Sequence, residues 1–515
     1  CRSEVLEEPP MTASQWVDLR MAMILMGLFG LAALPACGRS EALPEVAVEP
    51  SAPSVQAEEP ALEEDALRAA LGDEFVGAYP LVGETATTVR TVQLRAAPAT
   101  TSLDGVRNTA VWAYDGTVPG PVLRVRLGEE LRVTLDNRLP VATTIHWHGV
   151  RVHNAMDGVP GITQEPISPG AQFEYRLVPK DAGTFWYHPH VDGAEQVERG
   201  LHGVLVVEDR HPLPYSQDVV WMIDDWRLAE DGTIDPNFVT RHDLAHDGRW
   251  GQTITVNGRT DTELRVVPGS RIRLRLANPS NGRVYTPDFG PLEPRVVAVD
   301  GMFTARPLPL RGFELPPGAR LDLDLVVPAS TRGQRIQVTD RFTRRPNRLA
   351  AIVVEDVDPI ATPDFAPPAN PHVPRWARAH ELAPDVTFRL NARRGGRHGV
   401  EWTLNDQAWP GHGAHDDLPT TRLEAGRFAR IRFVNESFRL HPMHLHGQFF
   451  QVVARNGTPV DEPFFRDTVL IKRQDTVDIA LVPTDWGRWM LHCHILEHAE
   501  AGMMALVEVG QGAAH

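Results

Sequence analysis

The chain is predicted to be an all-β protein built from three consecutive β-sandwich domains. Three observations lead there. Glycine and proline are abundant, 41 and 44 of 515 residues, which favours short strands and turns over long helices. Apolar residues alternate with period two, the mark of half-buried strands. Most telling is a pattern of strand, glycine and alternating strand ending in asparagine, which occurs three times. The first copy runs from Leu123 to Asn137, with Gly128 followed by Leu131, Val133 and Leu135. The second runs from Leu264 to Asn278, with Gly269 then Ile272, Leu274 and Leu276. The third runs from Leu423 to Asn435, with Gly426 then Phe428, Ile431 and Phe433. In each the glycine lies nine residues before the asparagine, and successive glycines are 141 and 157 residues apart. That spacing predicts domains at 75–212, 213–368 and 369–515, with the Pro-rich stretch 363–374 joining the last two. The length agrees, at roughly 100–200 residues per domain.

Apolar residues make up 42% and charged residues 23% of the chain, so most of it is expected to fold. A net charge of −16 argues against a nucleic-acid binder, which wants a basic face. Three cysteines (Cys1, Cys37 and Cys493) give no disulfide framework.

The N-terminal part reads as an export signal over residues 1–37, with Met11 as the expected start. Arg20 precedes an apolar run from Met21 to Leu34, which is short for a bilayer-spanning helix and suits the centre of a secretory signal. A membrane anchor is the competing reading. Leu34-Pro35-Ala36-Cys37 resembles a bacterial lipoprotein cleavage box, and on that resemblance Cys37 carries a lipid. The expectation is therefore an exported, periplasmic or cell-envelope protein whose membrane contact is made only through that lipid. Residues 38–74 hold ten acids against Arg39 and Arg68, and predict an extended acidic Pro/Ala/Glu-rich linker.

Histidine carries the chemistry. Of 21 histidines, nine fall in four short windows: His146-Trp147-His148, His188-Pro189-His190, His441-Pro442-Met443-His444-Leu445-His446 and His492-Cys493-His494. Residues i and i+2 of a strand share a face, so each His-x-His aims two imidazoles at one spot. One such pair is usually a surface or core feature; four in one chain point to metal. In the last window Cys493 faces away from its two neighbours, so one strand can serve two sites back to back. Cys493 with His498, Met503 and His441 gives two imidazoles, a thiolate and a thioether. That set suits a copper electron-transfer site, whereas a structural zinc site has no use for methionine.

These motifs resemble the multicopper oxidases, of the three-domain, bacterial laccase-like type, over about residues 75–510. The resemblance implies three cupredoxin-like Greek-key sandwiches and four copper ions per chain. It places His441, Cys493, His498 and Met503 on a type 1 copper, and His146 and His444 on a type 2 copper. His148, His188, His190, His446, His492 and His494 fall to a type 3 pair. The histidine-poor middle domain becomes a spacer without ligands. The implied activity is oxidation of phenols or aromatic amines, one electron at a time, with dioxygen reduced to water. Electrons would enter through an exposed edge of His498 or His441 and pass through Cys493 to His492 and His494. A monomer is expected.

Asp157, in an Asp-Gly-Val-Pro-Gly turn nine residues after His148, matches the acid that the family places near the type 2 copper to relay protons. The competing reading is a turn aspartate bonding its own backbone. Many relatives carry another acid directly after the second type 1 histidine. Here that position is Ala499, with Glu500 one step on. The alternative donor is a cuprous, ferrous or manganous ion. Four of eleven methionines precede Cys37 and no methionine-rich segment stands near the site, which weakens the cuprous case. His398, His412 and His415 are expected to face solvent. His153 and His202 are expected to be structural, and Trp147 and Trp186 to pack around the cluster.

Overall fold

The computed structural model describes residues 60–79, 86, 88–411 and 418–511. The strands pair in six sheets, two from each of three stretches of chain. In the first stretch Thr109–Tyr114, Val89–Thr101, Glu130–Asn137 and Gln172–Leu177 form one sheet in that order. Leu123–Arg126, Gly203–Glu208, Gly183–His188 and His146–His148 form the other. The second stretch, 217–354, makes a six-stranded and a four-stranded sheet, and the third, 386–510, a six-stranded and a five-stranded sheet. The period-two pattern does what it predicts: along Glu130–Asn137 buried and half-buried residues alternate strictly. The three largest buried clusters are centred on the three stretches, the first reaching into the third through Phe428, Phe449 and Phe465. One gathers Val133, Tyr175 and Leu205, a second Leu274, Leu323 and Ile352, and a third Ile431, Val477 and Leu491.

The repeated strand plays one part three times. Glu130–Asn137 runs parallel to Val89–Thr101, Arg271–Ala277 to Gln217–Trp226, and Ala429–Asn435 to Val386–Arg393. Gly128, Gly269 and Gly426 turn into these strands at φ of 92°, 87° and 80°, where a side chain is strained. Each asparagine then pins the strand exit. Asn137 Nδ2 donates to the carbonyls of Val141 and Ile167, Asn278 Nδ2 to Arg283 and Leu315, and Asn435 Nδ2 to Arg439 and Lys472. Each Oδ1 accepts the N–H two residues on, at 2.9 Å. A side-chain amide thus satisfies backbone groups that have left the ladder.

The reading of 38–74 as an extended linker does not hold at its C-terminal end. Pro60–Asp73 is an α-helix. Its Arg68 bonds Asp385 at 2.8 Å, and Trp376 Nε1 donates to the Leu71 carbonyl at 2.7 Å. Alanine, leucine and glutamate are strong helix formers, and Leu71 and Tyr79 supply enough apolar surface to dock against Trp376 and Phe465. Net charge does not report those few anchors. The Pro-rich stretch is also held down, through Asn370 Nδ2 to the Ala78 carbonyl and Arg271 Nη1 to the Phe365 carbonyl. Cys37 and the export signal lie outside the described residues, as do His412 and His415. Among the described residues no helix is long and apolar enough to cross a membrane.

Candidate metal centre

Strand register brings the four histidine motifs together. His146–His148 pairs antiparallel with Gly183–His188, setting His146 opposite His188. His441–Leu445 pairs antiparallel with Gly487–Cys493, setting His444 opposite His492 and Met443 opposite Cys493. The ligand atoms then converge in groups. His148, His188 and His494 form one, and His190, His446 and His492 a second. His146 and His444 meet beside them, in a group that shares His148. Each three-histidine group draws on both the first and the third sandwich.

The other ring nitrogens are held by the protein, which decides which nitrogen faces inward. Nδ1 of His188 bonds the Pro189 carbonyl, Nδ1 of His444 the Asp467 carbonyl and Nδ1 of His492 the Cys493 carbonyl, each at 2.9 Å. His148 is reversed: its Nε2 faces Asp467 Oδ1 at 3.2 Å, leaving Nδ1 inward. Asp157 reaches two rings at once. Its Oδ1 lies 3.2 Å from His146 Nδ1 and its Oδ2 2.9 Å from His446 Nδ1. The inward nitrogens of His146, His148, His188, His444 and His494 are buried without a hydrogen-bond partner. Five such orphans at one place are costly unless a cation receives them. Burial and neighbouring imidazoles hold His148, His188, His446 and His494 well below the ordinary imidazole range, and bring His492 to about 3. These rings are neutral at pH 7, as metal ligation requires.

A separate group stands on the far side of Cys493. Its Sγ lies 3.6 Å from His441 Nδ1 and 3.8 Å from His498 Nδ1, and the two nitrogens are 3.3 Å apart. The centre of that triangle is about 2.1 Å from each atom, a metal–nitrogen bond length. Met503 is fully buried in the same cluster, its N–H bonded to the His498 carbonyl at 3.0 Å. Burial pushes the Cys493 thiol up, so the thiolate needs a cation beside it to form. Neither His441 nor His498 has an exposed edge; both are fully buried. His498 Nε2 donates to the His246 carbonyl at 2.8 Å, and His441 Nε2 meets Ser437 Oγ at 2.9 Å. Trp402 packs on both rings, with centroids 4.3 and 4.8 Å away. The expectation of an exposed imidazole is therefore corrected: loops that sequence periodicity does not report cover both.

The middle sandwich gives no residue to the candidate ligand groups among the described residues, yet it touches the site. Gly318 sits at φ +87°, where an added Cβ would lie 2.8 Å from His494 and 3.0 Å from His148. Trp186 Nε1 donates to the Gly318 carbonyl, and its ring stacks on His188 at 4.2 Å. Trp147 is fully buried in the first core. Arg320 binds Asp467 with two hydrogen bonds, 2.9 and 2.6 Å, behind His148 and His444. Burial opposes ionisation of Asp467, but the Arg320 charge and the bond to His444 outweigh it and hold the carboxyl below the usual range. Asp300, next to it, is pushed up to about 6 by burial and by the Asp467 charge. Arg320, Asp300 and Gly318 carried no sequence signal, since nothing in their local pattern separates them from ordinary strand and turn residues.

A cavity of about 520 Å³ borders His188, His190 and His492, with Glu500, Asp192, Trp409 and His398 in its wall. Glu500 accepts the Ala194 N–H at 2.7 Å. His398, expected to face solvent, is partly exposed in that wall. His153 is exposed and caps the short helix Asn154–Met156, while His202 is buried with Nε2 3.0 Å from Asp224. Both lie outside the convergent groups.

Three β-sandwiches with two three-histidine groups and a Cys–His₂ triangle, joined through one strand, define a metal-dependent redox protein. Family models described as multicopper oxidase match residues 95–212 and 381–513. The crystal structure of a multi-copper oxidase from Pseudomonas thermotolerans is 35% identical at a TM-score of 0.72, covering 83% of this chain and all of that one. A multicopper oxidase of Mycobacterium tuberculosis is 28% identical over 84% of this chain and 88% of its own length. Laccase-1 of Cryptococcus neoformans is 26% identical over 78% of this chain and 77% of its own. The chain belongs to the multicopper oxidase family, as a copper-dependent oxidoreductase with dioxygen as acceptor.

Proposed function

We propose that the chain is a laccase-like oxidase that takes single electrons from phenols or aromatic amines and holds four copper ions. The observation that carries this is the Cys493 strand, where a Cys–His₂ triangle and both three-histidine groups are one residue apart. His441, Cys493 and His498, with Met503 beside them, would hold the type 1 ion. His146 and His444 would hold the type 2 ion, and His148, His188, His190, His446, His492 and His494 the type 3 pair. When bound, copper supplies one-electron transfer and a site at which dioxygen accepts four electrons. Four phenols, each losing one electron and one proton to become an aryloxyl radical, balance one dioxygen reduced to two waters.

The residues of the chain do the rest. Cys493 offers a peptide link to each neighbour, and the His492 Nδ1 bond to its carbonyl closes a second, shorter connection. Asp157 fixes the tautomer of His146 through its main-chain carbonyl and that of His446 through Oδ2, and its carboxylate lies where a proton relay is needed. Asp467, held ionised by Arg320, orients His148 and His444. The proposal includes export to the periplasm or cell envelope with a lipid on Cys37. Intact-mass analysis showing an unmodified residue 37 would remove the lipid.

The test follows dioxygen uptake by copper-loaded protein with a methoxyphenol, ferrous ion and cuprous ion side by side. Fast phenol oxidation with weak metal oxidation is expected. Preference for either metal ion would make the protein a metallo-oxidase instead.

A further inference from the structure

The histidine cluster is split between two sandwiches that must stay in register. His146 of the first stacks on His446 of the third, and His148 on His444, each pair with ring centroids 3.7 Å apart. A small slide of one sandwich past the other would spoil the inward aim of all four imidazoles. The chain joins the two only by way of the middle sandwich, so what holds them together at this point is non-covalent.

Tyr79, a few residues beyond the helix Pro60–Asp73, stands at that junction. Its hydroxyl donates to the Phe449 carbonyl at 3.2 Å, three residues after His446. The Arg151 guanidinium lies over its ring, 4.4 Å from the centroid, three residues after His148. Arg151 is itself fixed, with bonds of 2.6 and 2.8 Å to Asp181. One phenol therefore touches both segments that run on from the histidine motifs, one from each sandwich. Around it Val150 and Val152 of the first sandwich share a buried cluster with Phe449 and Phe465 of the third.

The residues before Tyr79 hold it in place. Phe75 packs edge-on against its ring at 4.7 Å. The Trp376 N–H donates to Glu74 Oε2 at 3.0 Å, and Asn370 Nδ2 to the Ala78 carbonyl at 2.9 Å. Tyr79 is only 5% exposed, and a buried hydroxyl needs the partner that Phe449 gives it.

We propose that residues 60–79 form a strap and that Tyr79 is a positioning residue for the site shared by the first and third sandwiches. By tying the segments after His148 and His446, it keeps the imidazoles of the two sandwiches within reach of the same ions. The proposal goes beyond the function proposed above and rests on its copper assignment. Asp157 and Asp467 orient individual rings, whereas Tyr79 sets the sandwiches that carry them. His441, Cys493, His498 and Met503 all lie in the third sandwich, so a loosened strap weakens the type 2 and type 3 site and spares the type 1 site.

The experiment exposes the copper-loaded full chain to EDTA, as wild type, Tyr79→Phe and Tyr79→Ala. The paramagnetic resonance signal of type 2 copper and the visible absorption of type 1 copper are followed in the same sample. The type 2 signal should be lost about tenfold faster in Tyr79→Ala, the lower end of what an outer partner is worth to a metal site. It should be lost about threefold faster in Tyr79→Phe, which keeps the ring under Arg151 and removes only the hydroxyl bond. The type 1 absorption should decay at the wild-type rate in both. Faster loss of both signals together would make Tyr79 a general support of the fold, and wild-type rates for both would detach it from the cluster; either result overturns the proposal. Tyr79→Phe decides the matter if Tyr79→Ala does not fold. If loaded wild-type protein shows no type 2 signal, the copper assignment itself fails, and the strap's role with it.

Discussion

Arg320 of the middle sandwich clasps Asp467 of the third with bonds of 2.9 and 2.6 Å, and its Nε donates to the Thr184 carbonyl of the first. One fully buried guanidinium therefore touches all three sandwiches directly behind the histidine cluster.

Removing that guanidinium should be expensive. Arg320→Met leaves Asp467 buried without its partner, and breaking a buried pair from one side costs about 3–5 kcal/mol. Urea denaturation is expected to show an unfolding free energy lowered by that amount, with the midpoint moved to lower urea. An unchanged midpoint would mean that Asp467 finds another cation.

Asp157→Asn should act on one half of the cycle. His146 Nδ1 keeps its 2.9 Å bond to the main-chain carbonyl of residue 157, but the amide loses the negative charge that lies beside both His146 and His446. Losing such an outer partner typically costs about 10–100-fold in activity or affinity. Stopped-flow reoxidation by dioxygen should slow by about tenfold or more, while reduction by donor changes little. Equal slowing of both half-reactions would assign Asp157 a purely structural part.

Cys493→Ser should abolish the intense visible absorption and turnover with donors, because a hydroxyl is a poor substitute for a soft thiolate. Copper content should drop by one ion per chain, measured by elemental analysis against protein. A variant that retains full copper and colour would place the type 1 ion elsewhere.

Glu198 gives a pH-dependent stability with a definite sign. Burial is the main cause that raises its carboxyl to about 8, against the pull of Arg249. Between its ordinary value and about 8 the folded chain binds more protons than the unfolded one, so this residue's contribution falls as pH rises. The slope is at most about 1.4 kcal/mol per pH unit. Denaturation midpoints from pH 5 to 8 should decline less steeply in Glu198→Gln than in wild type. An identical slope in both would show that other groups set the dependence.

The sandwiches and the imidazole groups were legible in the sequence for different reasons. Gly128, Gly269 and Gly426 each precede an asparagine by nine residues because turn and strand exit are local geometry, and local geometry leaves a spacing. His-x-His is legible because a strand repeats every two residues, whatever the strand packs against. The helix Pro60–Asp73 is not legible in the mean composition of its acidic stretch, because two apolar residues, Leu71 and Tyr79, decide its docking.

By itself the sequence determined which residue types stand two apart on which strands, and so the kind of metal and the class of chemistry. Only the tertiary structure decided that Arg320 and Gly318 back the cluster and that Asp157 bridges two rings. It alone placed the His246 carbonyl over His498, closing the expected edge. The physical reason is range. A strand's alternation is set by bonds between neighbours, while a hydrogen bond between residues 252 positions apart is set by how whole sheets pack.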